Sequence, residues 1–178
     1  MGCCGRSFES ATLINAPPST VYAILTDFDA YNQWNAVIPA IRVKEFKENA
    51  AIRPTLVSSR GKISFNASLN KVDPAKKEFS WKAGMPIPGM FKGIHSFIMH
   101  PADDAGASTR LVRREEYSGL LVPLFASQVR DADAGLEEMI QALKKRAEES
   151  AHPPPIIEST TTGEVMPAGE GAVEVTTT

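Results

Sequence analysis

From Ser127 to Glu149 one apolar stripe runs without interruption. Val129, Ala132, Leu136, Met139, Ile140, Leu143 and Ala147 step by threes and fours, the spacing of a single helix face. Asp131 and Asp133 lie early in the run and Lys144, Lys145 and Arg146 lie late, which complements the helix dipole. This predicts one long amphipathic helix.

Everything before it reads in shorter pieces. "SFESATLINA" (Ser7–Ala16) is rich in strand formers and stops at Pro17-Pro18, which end a strand and can open a helix. Val21, Ile24, Leu25 and Phe28 then share a helical face, and Tyr31, Trp34, Val37 and Ile38 predict a second short helical piece before Pro39. Phe28 and Trp34 are the expected apolar pegs of this pair, with Asp27 and Asn35 capping and turning the chain between them. Next come "AIRVKEFKE", "AIRPTLVSS", "KISFNASLNKV", "EFSWKAG", "GIHSFIMH" and "STRLVRREEYSG", separated by Arg60-Gly61, "DPAKK", "MPIPGMFK" and "PADDAGA". Short strands divided by turn chemistry predict an antiparallel sheet.

At 178 residues and 43% hydrophobic content the chain can build one core of ordinary size. The net charge of −2 excludes a global basic field, and no basic face interleaved with aromatics points to nucleic acid. From residue 150 the sequence loses its periodicity and holds four Glu and no Lys or Arg, which predicts a disordered, mildly acidic tail over 150–178. No apolar run approaches the roughly 20 residues of a membrane span, and no secretory signal pattern is seen.

The two cysteines, Cys3 and Cys4, cannot staple a core or complete a zinc pattern, so a cytoplasmic setting without metal is expected. They lie in "MGCCGRS", within a leader over 1–6. Gly2 has the acceptor position for myristoylation and Cys3 and Cys4 that for palmitoylation, although Arg6 replaces the usual hydroxyl residue. Acylation would add peripheral membrane association; the alternative is an unmodified leader.

The segments "INAPPSTVYAILTDFDAYNQWN", "GMFKGIHSF", "TRLVRREEYSGLLVP" and "LEEMIQALKKRAE" together resemble the SRPBCC superfamily over about residues 8–149. That superfamily includes START-like lipid-binding domains, coenzyme-Q-binding proteins, polyketide cyclases/dehydratases and the birch-pollen-allergen fold. The resemblance implies an α+β helix-grip domain over 7–149: a curved antiparallel sheet wrapped around the long C-terminal helix, with two short helices after the first strand. It also implies a cavity between sheet and helix for a hydrophobic ligand. One departure is Ala36 after Trp34-Asn35, where many relatives have proline.

Within that frame, alternation puts His95, Phe97 and Met99 on one face of their strand and Leu111, Arg113, Glu115 and Tyr117 on one face of the next. A hairpin closing at 101–107 sets His95 opposite Arg113 or Glu115, with all three in reach. Such a cluster could orient a ligand, with Tyr117 adding a hydrogen bond. His95 and Glu115 could alternatively form a proton-transfer couple, or the network could simply pin strand register.

Trp81 and Phe97 are candidate cavity wall or core. Trp34 is a candidate for the mouth, and Leu121 and Phe125 for the far end. Met139 and Leu143 would face the ligand or belong to ordinary core. Ile87 and Phe91, in a loop rich in apolar residues, read as a lid, a membrane-touching tip, or a loop folded on its own core. No phosphate-binding loop or nucleophile elbow is present.

Two functions therefore stand. The first is a monomeric carrier or sequestering protein for a small hydrophobic molecule of lipid, quinone or polyketide type. The second is a cofactor-independent cyclase or dehydratase using His95, Glu115 and Arg113.

Overall fold

The computed structural model describes residues 5–58 and 61–152. The candidate acylation residues Gly2, Cys3 and Cys4, and the predicted tail from residue 153 onward, lie outside the described residues. In chain order the elements are β1 (Gly5–Ile14), α1 (Pro18–Thr26), a 3-10 turn (Phe28–Gln33), β2 (Ala40–Val43), β3 (Ala51–Ser58), β4 (Gly61–Ser64), β5 (Ala67–Asp73), β6 (Glu78–Gly84), β7 (Lys92–Pro101), β8 (Thr109–Ser118) and α2 (Ala126–Ala151). The sheet is antiparallel in the order β1-β8-β7-β6-β5-β3-β2, with β4 paired to β3. This is the helix-grip arrangement.

The pair Pro17-Pro18 stops β1 and opens α1, where the fixed proline φ suits the first turn and its missing N–H costs nothing. The buried face of α1 is Val21, Tyr22 and Leu25, while Ile24 is only partly covered. The second helical piece is shorter and earlier than its apolar spacing predicts. It is the 3-10 turn, which buries Phe28 and Tyr31, and Trp34 to Pro39 form no helix.

Local polar bonding explains the difference. Asn35 Oδ1 accepts the N–H groups of Val37 (3.1 Å) and Ile38 (2.8 Å), an alternative to helix continuation. Asp27, expected to cap, makes no side-chain cap bond. "KISFNASLNKV" also divides. Its first part turns back on β3 as β4, and its second pairs with β6 as β5, with a register shift between Leu69 and Lys71.

α2 extends slightly beyond the predicted stripe at each end and buries Val129, Leu136, Met139, Ile140, Leu143 and Ala147. These residues meet the concave face of the sheet at Ile14, Leu69, Phe79, Trp81, Phe97, Met99 and Leu111 in one continuous core. Full burial of each large side chain stabilises by roughly 1.5–3 kcal/mol. A smaller cluster of Tyr117, Val122 and Val129, flanked by Phe8 and Phe91, closes the end of the sheet near the start of α2. Among the described residues no helix is long and apolar enough to cross a membrane.

Candidate functional site

Strands β7 and β8 pair with His95 opposite Glu115, Phe97 opposite Arg113 and Gly93 opposite Tyr117. Of the two registers open to the sequence, the hairpin takes the one that faces His95 to Glu115. Alternation along β8 buries Thr109, Leu111, Arg113, Glu115 and Tyr117 on the concave face, so two charged residues enter the interior. Gly93 lies close beneath the tyrosine: a Cβ there would stand 3.1 Å from the Tyr117 ring, so the ring would have to give by a few tenths of an ångström.

Arg113 is the hub. It donates through Nη1 to Glu115 Oε1 (2.5 Å) and to the Asp133 carbonyl (3.1 Å). It also donates through Nη2 to Asp133 Oδ1 (2.7 Å) and through Nε to Ser10 Oγ (3.2 Å). Glu137 Oε2 lies 3.6 Å from Nη2. One guanidinium thus ties β8 to β1 and α2. In the sequence Asp133 stands out only as a complement to the helix dipole, and nothing local marks Ser10 or Glu137 as partners of Arg113. The available signal was spacing: Asp133 and Glu137 are four residues apart, beside the apolar stripe of α2.

Glu115 is fully buried, and both its oxygens are taken: Oε1 by Arg113 and Oε2 by the Tyr117 hydroxyl at 2.6 Å. Burial pushes its carboxyl up, with the tyrosine hydrogen bond and the Arg113 charge pulling against it. The Tyr117 hydroxyl is itself raised, by burial and then by its bond to Glu115.

His95 stands apart. Its Nδ1 lies 3.7 Å from Glu115 Oε2, beyond hydrogen-bond range, and is buried without a partner. Burial, then the Arg113 charge, push the imidazole down to about 4. At neutral pH the ring is uncharged, so the contact with Glu115 is not an ion pair. The ring sits between Trp81 (5.9 Å) and Tyr117 (5.7 Å, edge-on).

The interior cavity that the resemblance implies is filled. Phe79 and Phe97 stack at 5.2 Å, Trp81 joins them at 5.7 and 5.2 Å, and Met139 and Leu143 close over them from α2. Trp81, Phe97, Met139 and Leu143 are therefore core packing. Trp34 is partly buried against the Tyr31 ring at 4.8 Å and does not line a mouth. Leu121 and Phe125 are partly covered, with Phe125 edge-on to Phe91 at 5.3 Å.

Open concave space lies elsewhere. A groove of about 520 Å³ runs between the ends of β5 and β6 and the 85–92 loop. Its apolar wall includes Ala67, Ala83, Met85, Ile87 and Phe91, and Asn66, Ser68, Lys82 and Lys92 supply polar groups. Of the candidate ligand residues, Ile87 and Phe91 are here. A smaller concavity of about 310 Å³ lies between the 3-10 turn and β2. Among the described residues no three His, Cys, Asp or Glu side chains converge as a metal site would.

Residues 6–148 match the family model described as polyketide cyclase / dehydrase and lipid transport. No curated protein is significantly similar to the chain. Among solved structures, the chain is similar to the Zhui aromatase/cyclase of a Streptomyces species, at 13% identity and a TM-score of 0.69, over 84% of this chain and 97% of that one. It is also similar to a START superfamily protein of Mycobacterium smegmatis, at 21% identity and a TM-score of 0.63, over 84% and 99%. A norcoclaurine synthase point mutant of Thalictrum matches at 10% identity and a TM-score of 0.67, over 84% and 98%. At these identities the likeness is one of fold.

Proposed function

The chain belongs to the polyketide cyclase / dehydrase and lipid transport family of the START-like superfamily, and on that footing we propose that it binds a small hydrophobic molecule as a carrier or sequestering protein. The ligand is of lipid, quinone or polyketide type, and its site is the groove beside the 85–92 loop. The observation that carries this reading is the groove itself: an apolar wall of Ala83, Met85, Ile87 and Phe91 with lysines to orient a polar end.

The buried cluster supports binding over catalysis. A general base must lie within hydrogen-bond reach of a substrate proton. Glu115 is fully buried, each of its oxygens already accepts a hydrogen bond, one from Arg113 and one from Tyr117, and His95 at 3.7 Å is too far for a direct relay. The network joins β1, β8 and α2, which is the work of a structural pin.

Native mass spectrometry of protein from its own host tests for a co-purifying hydrophobic ligand. Titration with a pyrene-labelled fatty acid and a short-chain quinone then locates it. Ile87→Ser should weaken binding about tenfold, the effect of losing one apolar contact. His95→Gln and Glu115→Gln should leave affinity within a small factor. If either of the latter two instead abolished turnover of a polyketide substrate by roughly 100-fold or more, the cyclase reading would replace this one.

A further inference from the structure

Four of the six exposed large hydrophobic side chains among the described residues stand on two loops: Met85 (42% exposed) and Ile87 (61%), and Leu120 (74%) and Leu124 (72%). The loops are joined. The N–H groups of Leu120 and Leu121 donate to the carbonyls of Gly89 and Met90, both at 2.9 Å, and Phe91 meets Phe125 edge-on. One end of the molecule therefore presents a contiguous apolar tip, which is unusual on a surface left to water.

Arg6, Lys92 and Arg130 are exposed at this end, and residues 84–93 and 118–130 contain no Asp or Glu, the nearest acidic residues along these segments being Glu116 and Asp131. The start of β1 is at the same end, because Gly5 pairs with Ser118 and Ser118 with Lys92. Whatever precedes Gly5 joins the fold beside the apolar loops.

We propose that this end docks on the surface of an anionic lipid bilayer, with Ile87, Leu120 and Leu124 entering the acyl boundary and Arg6, Lys92 and Arg130 facing the headgroups. Apolar tips ringed by cations match the two terms of interfacial binding, burial of hydrocarbon and attraction to acidic lipid. A second copy of the chain fits less well, because an isologous contact would bring two faces that each carry Arg6, Lys92 and Arg130 together. An acyl chain attached ahead of Gly5 would supply the second anchor that stable attachment needs. The inference rests on the loops and strand ends, and it stands whether or not the groove takes a ligand.

The test is cosedimentation of the full chain with vesicles of phosphatidylcholine alone and with added phosphatidylserine. The protein should partition onto the phosphatidylserine vesicles, and less so as salt rises. Leu120→Glu with Leu124→Glu should lower partitioning at least about tenfold, since each leucine loses its apolar burial. Both side chains are solvent-exposed and line neither concavity. The double variant should therefore keep the parent's thermal midpoint and its affinity for the pyrene-labelled fatty acid. Absence of binding to either vesicle, or equal binding by the double variant, would overturn the proposal. Self-association that the double variant abolishes, without vesicle binding, would assign the surface to a second copy instead.

Discussion

His95 and Arg113 bear opposite relations to the same carboxylate. The unfolded chain takes a proton on His95 near pH 6.5, while the fold withholds it until about 4. Acid therefore favours the unfolded state through this residue. Its contribution is whole above pH 6.5 and is lost as pH falls toward 4, by roughly 3 kcal/mol. Urea midpoints across that range should fall less steeply for His95→Gln than for the parent. Glu115, with its carboxyl raised, acts with the opposite sign and favours the fold as pH drops, so the difference between the two proteins isolates His95. Arg113→Ala would leave a fully buried carboxylate without its cation. It should cost about 3–5 kcal/mol in denaturant unfolding at neutral pH, and less in acid, where Glu115 can take up a proton. His95, Glu115 and Arg113 were legible as a facing set because strand alternation is local. Asp133 was not, since its bond to Arg113 spans twenty residues and depends on where α2 lies.

At the scale of elements, the junction of the two apolar loops depends on Gly119. Its φ is +123°, and a Cβ there would stand 2.4 Å from the Met90 carbonyl oxygen, so both its conformation and its space exclude a side chain. Gly119→Ala should destabilise the protein by about 1–3 kcal/mol. Faster hydrogen exchange at the Leu120 and Leu121 amides would show the loops parting. Helix α2 was legible to within a few residues because its stripe is long and regular. The 3-10 turn and the β4–β5 break were not. A six-residue apolar pattern fits several backbones, and the choice falls to tertiary bonds such as Phe65 N–H to the Pro54 carbonyl.

At the scale of the molecule, the core and the groove are separate. Leu143→Ala should cost about 2–5 kcal/mol in unfolding experiments, as a truncation in a filled interior does, yet leave affinity for a hydrophobic probe at the groove unchanged. A tighter or deeper-bound probe in that variant would return the ligand to the space between sheet and helix. By itself the sequence determined what is periodic. The antiparallel strands, the long helix and the strand face shared by His95, Arg113 and Glu115 follow from alternation, turn chemistry and one uninterrupted stripe, while the helix-grip family follows from the resemblance of four segments to it. Only the tertiary structure decided that Trp81, Phe97, Met139 and Leu143, open in the sequence to either ligand wall or core, pack in the core, that each oxygen of Glu115 accepts a bond from Arg113 or Tyr117, and that a groove opens at the loop end. Periodicity states which face a residue is on. How much room remains once both faces are packed depends on the sizes of side chains from distant segments meeting in one place, and that becomes definite only in the folded chain.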